Sequence, residues 1–154
     1  MIRWQSTDAV IVQGHRVASG LNGNPRFPGG TLRMQLPFFK QRGLDLSAYF
    51  IGTVNVSIAP QIYQIVEPRL TFRDVKWHPI EPAEDFSFFD TRVNCGQGNS
   101  VSGLIYFPHP ETKPEHFQSP DVLELLLPPV QSINYGDQLV VSVPNDQMRF
   151  IDEN

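Results

Sequence analysis

The sequence holds one cysteine, Cys95, so no disulfide can form within the chain. No apolar stretch approaches the roughly 20 residues that a membrane-spanning helix needs. The opening residues, MIRWQSTDAVIV, lack the apolar core and small-residue site of a signal peptide, so a reducing, cytoplasmic setting is expected. Charge is also sparse: Asp, Glu, Lys and Arg make up 18% of the chain, below the roughly 25% usual in globular domains. With a formal net charge of -4 there is no basic field of the kind that binding a duplex requires. Small molecules are the expected partners, not nucleic acid or membrane.

What is present is apolar and aromatic. An apolar fraction of 40% and an aromatic fraction of 11% over 154 residues suit one packed core, so residues 1–154 are read as a single domain. The 14 prolines and 11 glycines are scattered, leaving short β-branched and aromatic runs between turn signals. Strands are expected over Ala9–Gln13 with Arg16–Ser19, Leu32–Leu36, Gly52–Ile58, Gln61–Val66, Thr71–Lys76, Phe86–Phe89, Val101–Phe107 and Gln138–Val143. Two short helices are expected. Leu36–Gly43 ends at a glycine suited to a left-handed C-terminal position. Pro120–Leu127 has Ser119 as its N-cap, Leu123, Leu126 and Leu127 as its buried stripe, and Pro128-Pro129 as its stop. Trp77–Asp85, with two prolines and three acids, reads as a surface excursion. The fold class is mainly β, a small closed barrel with few helices, closure being one way to remove sheet edges.

Three segments carry candidate chemistry. In Ser19-Gly20-Leu21-Asn22-Gly23-Asn24, followed by Arg26, the glycines would let backbone N–H groups approach an anion, and Arg26 could pair with a phosphate. The spacing is neither a Walker A sequence nor a dinucleotide fingerprint, and taken alone the segment reads first as a plain turn. In Thr53-Val54-Asn55-Val56-Ser57-Ile58 the valines and Ile58 would face inward and Thr53, Asn55 and Ser57 outward. Thr53 and Asn55 then present two neutral oxygens on one face, suited to a hard cation such as Mg²⁺ that also takes phosphate oxygens. Ordinary outward strand residues are the bland alternative. The stretch Pro108–Glu124 gathers His109, Glu111, Thr112, Lys113, Glu115, His116 and Glu124; histidines seven apart match no common zinc spacing, and solvated loop residues are the alternative. Cys95, between a strand and Gly96, reads as an ordinary thiol.

The order of these elements resembles that of the archaeal CTP-dependent riboflavin kinases. The likeness rests on the glycine loop, on Gly52-Thr53-Val54-Asn55-Val56, on Leu123-Glu124 and on Tyr135-Gly136-Asp137, and it spans roughly Val17–Val143. It implies a six-stranded cradle-loop barrel that transfers a phosphoryl group from a nucleoside triphosphate, in that family CTP, to riboflavin, giving FMN. It further implies Thr53 and Asn55 as Mg²⁺ ligands and Gly20, Leu21, Asn22, Gly23, Asn24 and Arg26 around the nucleotide. Thr112 and Glu124 would lie at the flavin, with Glu124 as the catalytic carboxylate and His109 or His116 as the other candidate base. Two departures stand out: residues 113–120 look like an insertion, and Pro128-Pro129 stand where the family has a nucleotide-holding Leu-Arg pair. They leave open a second reading, a barrel that binds a small ligand or nucleotide without phosphoryl transfer.

Overall fold

The structure, a computed structural model, describes residues 2–12, 31–96, 98–112, 119–130 and 133–153. Among them are nine strands and one helix: β1 (Trp4–Ile11), α1 (Thr31–Gln41), β2 (Val54–Ser57), β3 (Gln61–Ile65), β4 (Leu70–Val75), β5 (Glu84–Asn94), β6 (Ser100–Pro108), β7 (Val122–Leu126), β8 (Gln138–Pro144) and β9 (Met148–Asp152). The fold is mainly β. Seven strands form one sheet in the order β4-β5-β6-β7-β2-β1-β8, and a further β5–β8 pairing joins β5 to the far edge. Six strands therefore close into a hydrogen-bonded ring, with β4 attached outside it. The closing ladder is short, Arg92↔Ser142, Val93↔Val141 and Asn94↔Val140. β3 and β9 pair separately.

Alternation along the ring strands divides two apolar clusters. Val56, Phe89, Val93, Ile105, Leu123, Leu125, Val141 and Val143 point to the interior, where Met148 and Phe150 of β9 join them. The opposite faces of β4 to β7 carry Phe72, Phe86, Phe88, Leu104, Tyr106 and Leu126, and α1 covers this outer cluster with Leu32 and Phe39. Phe39 is completely buried, with its ring 5.0 Å from Phe86 and 5.2 Å from Phe88, both edge-on. Among the described residues no helix is long and apolar enough to cross a membrane.

The helix begins earlier than its sequence suggests. Thr31, Leu32, Gln35 and Phe39 form its buried stripe, at spacings of one, three and four residues that only a helix brings to one side. Leu32–Leu36, expected as a strand, is thus helical, and Pro37 lies inside the helix and not in its first turn. An interior proline costs about 3 kcal/mol, an amount comparable to the gain from burying Phe39 alone. The end of the helix matches expectation. Gly43 adopts φ 100°, its N–H bonds Lys40 O at 3.1 Å, and Leu44 N–H bonds Phe39 O at 3.0 Å, a Schellman closure.

Other expectations are corrected. Pro120–Leu127 is not a helix: Ser119 O accepts Val122 N–H at 2.9 Å across a turn through Pro120 and Asp121, and β7 follows. Ser-Pro-Asp is as good a turn opener as a helix start, and Leu123, Leu125 and Leu127 alternate into the interior cluster. Trp77–Asp85 is not a surface excursion throughout, because Trp77, His78, Glu84 and Asp85 are buried. Trp77 Nε1–H donates to Glu84 at 2.7 Å, which lets an acid and an indole share the interior. In β4 a bulge between Phe72 and Val75 turns both side chains onto the outer cluster. At the bulge Asp74 adopts φ 55°, and its N–H donates to Asp85 Oδ1 at 2.9 Å. Phe86–Phe89 is only the middle of β5, and the β9 strand had no counterpart in the expected set. Arg16–Ser19 lies outside the described residues.

Candidate functional site

β2 and β7 bring the site together. Their antiparallel register sets Asn55 directly opposite Glu124, with Val54↔Leu125 and Val56↔Leu123 on either side. Because Val56, Leu123 and Leu125 fill the ring, Asn55 and Glu124 point to its outer face. Thr53 lies two residues along β2's approach on the same face. Its Oγ1 is 3.1 Å from Asn55 Oδ1 and 3.4 Å from Glu124 Oε1. Residues 71 positions apart thus meet at one hydroxyl.

Asn55 is expected from its alternation to stand outward. It does face away from the ring interior, yet it is 7% exposed. Thr53 and Glu124 are half-buried. Continuing the β6–β7 register, Leu104↔Leu126 and Ile105↔Leu125, places Tyr106 beside Glu124 on the same face. Tyr106 donates its hydroxyl to Gln35 Oε1 of α1 at 2.7 Å. Burial above all, and then the charge of Glu124, holds the hydroxyls of both Tyr106 and Tyr63 above their ordinary pKa. A polar row, Asn55, Glu124, Tyr106 and Gln35, therefore runs across three strands onto the helix.

The spacing of the Thr53 and Asn55 oxygens suits a hard cation. Octahedral Mg²⁺ with oxygens at about 2.0 to 2.1 Å sets neighbouring ligands about 3 Å apart. The hydroxyl hydrogen drawn toward Asn55 would have to rotate away to free a lone pair, which a threonine hydroxyl does readily. Among the described residues no three His, Cys, Asp or Glu side chains gather as a metal site, so any cation here would rest largely on neutral oxygens and on its ligand.

The remaining candidates divide. Gly20, Leu21, Asn22, Gly23, Asn24 and Arg26 lie outside the described residues, as do Lys113, Glu115 and His116. Thr112 Oγ1 accepts Asp85 N–H at 3.0 Å and donates to His109 O at 3.1 Å, which ties it to the start of β5. His109 Nε2 is 2.6 Å from Ser87 Oγ and its Nδ1 is 3.2 Å from Glu111. That order matches an acyl-transfer triad, but Ser87 is 1% exposed and sits mid-strand between β4 and β6 partners. A substrate carbonyl has no approach to it, and the arrangement acts as a strand-to-loop tie. The thiol of Cys95 is half-buried, and burial raises its pKa, the opposite of what activates a nucleophile.

A separate groove of about 430 Å³ is lined by Ser6, Thr7, Asp8, Ile58, Ala59, Pro60, Gln61, Val140 and Asp152. Asp8 and Asp152 are its charged groups, a poor lining for a phosphate. Sequence reasoning missed Tyr106 and Gln35. Tyr106 read as part of an apolar strand, and Gln35 lay in a segment expected to be extended. No family model matches this chain, and no curated protein matches it either.

Proposed function

We propose that this protein is a riboflavin kinase-like phosphotransferase of cradle-loop barrel type. It would transfer the γ-phosphoryl group of a nucleoside triphosphate, CTP in the family it resembles, to the 5′-hydroxyl of riboflavin. The observation that carries this reading is the meeting of Thr53, Asn55 and Glu124 at 3.1 and 3.4 Å. The resemblance assigns roles to these three residues, and strand pairing brings them together. The six-stranded ring is compatible with the barrel that the resemblance implies.

In the proposed reaction the riboflavin oxygen forms a bond to the γ-phosphorus, the bond from that phosphorus to the β,γ-bridging oxygen breaks, and the nucleoside diphosphate leaves. Thr53 Oγ1 and Asn55 Oδ1 would hold Mg²⁺, which when bound neutralises charge on the phosphate oxygens. Glu124, beside them, would orient the acceptor hydroxyl and take its proton. Alignment supplies most of what phosphoryl transfer needs, and a rigid two-strand ladder is well suited to it.

The test is incubation of the purified chain with riboflavin, Mg²⁺ and CTP, ATP or GTP, followed by chromatography for FMN. FMN formed with any of the three supports the reading; none with all three overturns it. Pro128-Pro129, in place of the Leu-Arg pair, favours a second reading, a binding protein on the same frame. Tight flavin or nucleotide binding without FMN would establish that one instead.

A further inference from the structure

Exposed aromatic side chains are few in this protein, and they are not scattered. Among the described residues only Phe50 and Tyr135 are exposed aromatics, at 51% and 57%, and Ile51 beside Phe50 is exposed as well. A lone exposed apolar side chain needs no cause. Two that stand on either side of the Thr53 cluster call for one.

Strand pairing puts them there. Val54 pairs with Leu125, Ile11 with Val56 and Val10 with Gln138, so β2 and β8 begin and β7 and β1 end at one rim of the six-stranded ring. Thr53 lies at this rim, just before β2. Phe50 N–H donates to Leu127 O at 2.9 Å, one residue past β7, and Gly136 N–H, next to Tyr135, donates to Ile11 O at 2.8 Å at the end of β1. Phe50 and Tyr135 therefore flank the entrance of β2, on its β7 and β1 sides. The chain reaches Phe50 along the outer side of the sheet, since Leu46 is buried in the outer cluster and Tyr49 packs against it. Asn55 and Glu124 point to that same side. Gly52 N–H donates to Phe50 O at 3.0 Å, which fixes the backbone between Phe50 and Thr53. Three residues reach at most about 11 Å, a span that a ribityl chain or a ribose triphosphate bridges.

We infer that this rim binds a planar heterocycle and that Phe50 is the side chain on which it stacks. On the phosphotransferase reading, on which this inference rests, phosphate and reacting hydroxyl lie at Thr53, Asn55 and Glu124. Each reactant also carries a flat heterocycle, the flavin ring of one and the nucleobase of the other. Stacking on an accessible aromatic face buries such a ring without requiring a matched hydrogen bond. Phe50 offers that face without the movement of any strand or helix, and its anchored backbone loses little freedom when a ligand binds.

Calorimetry of the full chain with riboflavin and Mg²⁺, and separately with Mg·CTP, tests this, with FMN formation and the melting temperature measured alongside. Phe50→Ala should weaken riboflavin or Mg·CTP about tenfold or more, and the ligand that weakens carries the stacked heterocycle. Phe50→Tyr, which keeps the ring, should hold both affinities within about twofold, whereas Phe50→Leu, apolar but not flat, should lose affinity as Phe50→Ala does. Both affinities unchanged in Phe50→Ala, full affinity in Phe50→Leu, or equal losses in Phe50→Tyr and Phe50→Ala overturn the inference, even with a lowered melting temperature. FMN formed by the wild type leaves the phosphotransferase reading standing in each of those cases. Binding by the wild type without FMN overturns that reading, and Phe50→Ala then decides the inference by itself. A wild-type chain that binds neither ligand overturns both.

Discussion

Gln5 holds Phe150 by both of its backbone polar atoms: Nε2 donates to Phe150 O at 2.8 Å and Oε1 accepts Phe150 N–H at 2.9 Å. A side-chain amide thereby imitates a neighbouring strand and fastens β9, outside the ring, to β1 within it. Gln5→Ala should lower stability by about 1 to 3 kcal/mol, since both backbone groups lose their partner. The urea midpoint should fall, and Phe150 amide exchange should speed up. An unchanged midpoint would show that water replaces the clamp at no cost.

Gly103 allows β6 and β7 to approach closely. A Cβ built there would stand 2.5 Å from Leu126 O and 2.6 Å from Leu127 Cδ2. The carbonyl belongs to a paired strand and cannot step aside, so Gly103→Ala should destabilise by about 1 to 3 kcal/mol. Because Leu126 neighbours Leu125 and Glu124 on β7, any reading of ligand binding in this variant should be made well below its melting temperature.

Phe39→Ala tests what holds α1 on the sheet. Removing a ring packed among Phe72, Phe86 and Phe88 should cost about 3 to 5 kcal/mol. Helical circular dichroism should fall with it, since the proline inside α1 leaves the helix little stability of its own. Retained helicity at a reduced melting temperature would contradict this dependence.

Acid should act through Asp85. The Asp74 N–H above all, then the Arg73 guanidinium, hold its carboxyl below the usual value despite burial. A carboxyl whose pKa is lower in the folded chain stabilises fully above its unfolded value, near 4, and that contribution is lost as pH falls through the folded value. Asp85→Asn should therefore destabilise at pH 7 and flatten the decline below about pH 4. Parallel wild-type and variant curves across that range would count against it.

Thr53→Val keeps the shape of a half-buried side chain and removes its oxygen. On the phosphotransferase reading it should abolish Mg²⁺-dependent nucleotide binding, seen by calorimetry, with stability changed by less than about 1 kcal/mol, as is usual for substitutions outside a core. Asn55→Ala is the less clean probe, because Asn55 is buried and its loss opens a cavity. Equal nucleotide affinity with and without the Thr53 hydroxyl would remove that residue from the site.

Period-two patterns made much of the sheet legible. Val54 and Val56 set the facing of β2, and with it the shared face of Thr53 and Asn55. Where propensity and context disagreed, context won. Ser119-Pro120-Asp121 fits a turn or a helix start equally well locally, and only pairing with β2 decides it. Leu32-Arg33-Met34-Gln35-Leu36 alternates apolar and polar as a strand does, and its helical stripe becomes visible only when Thr31 and Phe39 are included. At the site, Thr53, Asn55 and Glu124 could be singled out one by one. Their meeting depends on β2–β7 pairing, which no local pattern reveals. Gln35 stayed hidden because its segment reads as extended, and its bond from Tyr106 depends on α1 lying over the sheet.

The ring imposes an order on its own assembly. β1 acquires β2 through the short pairing Val10↔Ser57 and Ile11↔Val56, whereas its longest ladder, Trp4↔Pro144 through Val10↔Gln138, awaits a strand at the other end of the chain. On a ribosome the first strand is thus made early and completed last. Loop closure of that length makes for slow folding, and until β8 emerges β1 and β5 each keep an open edge.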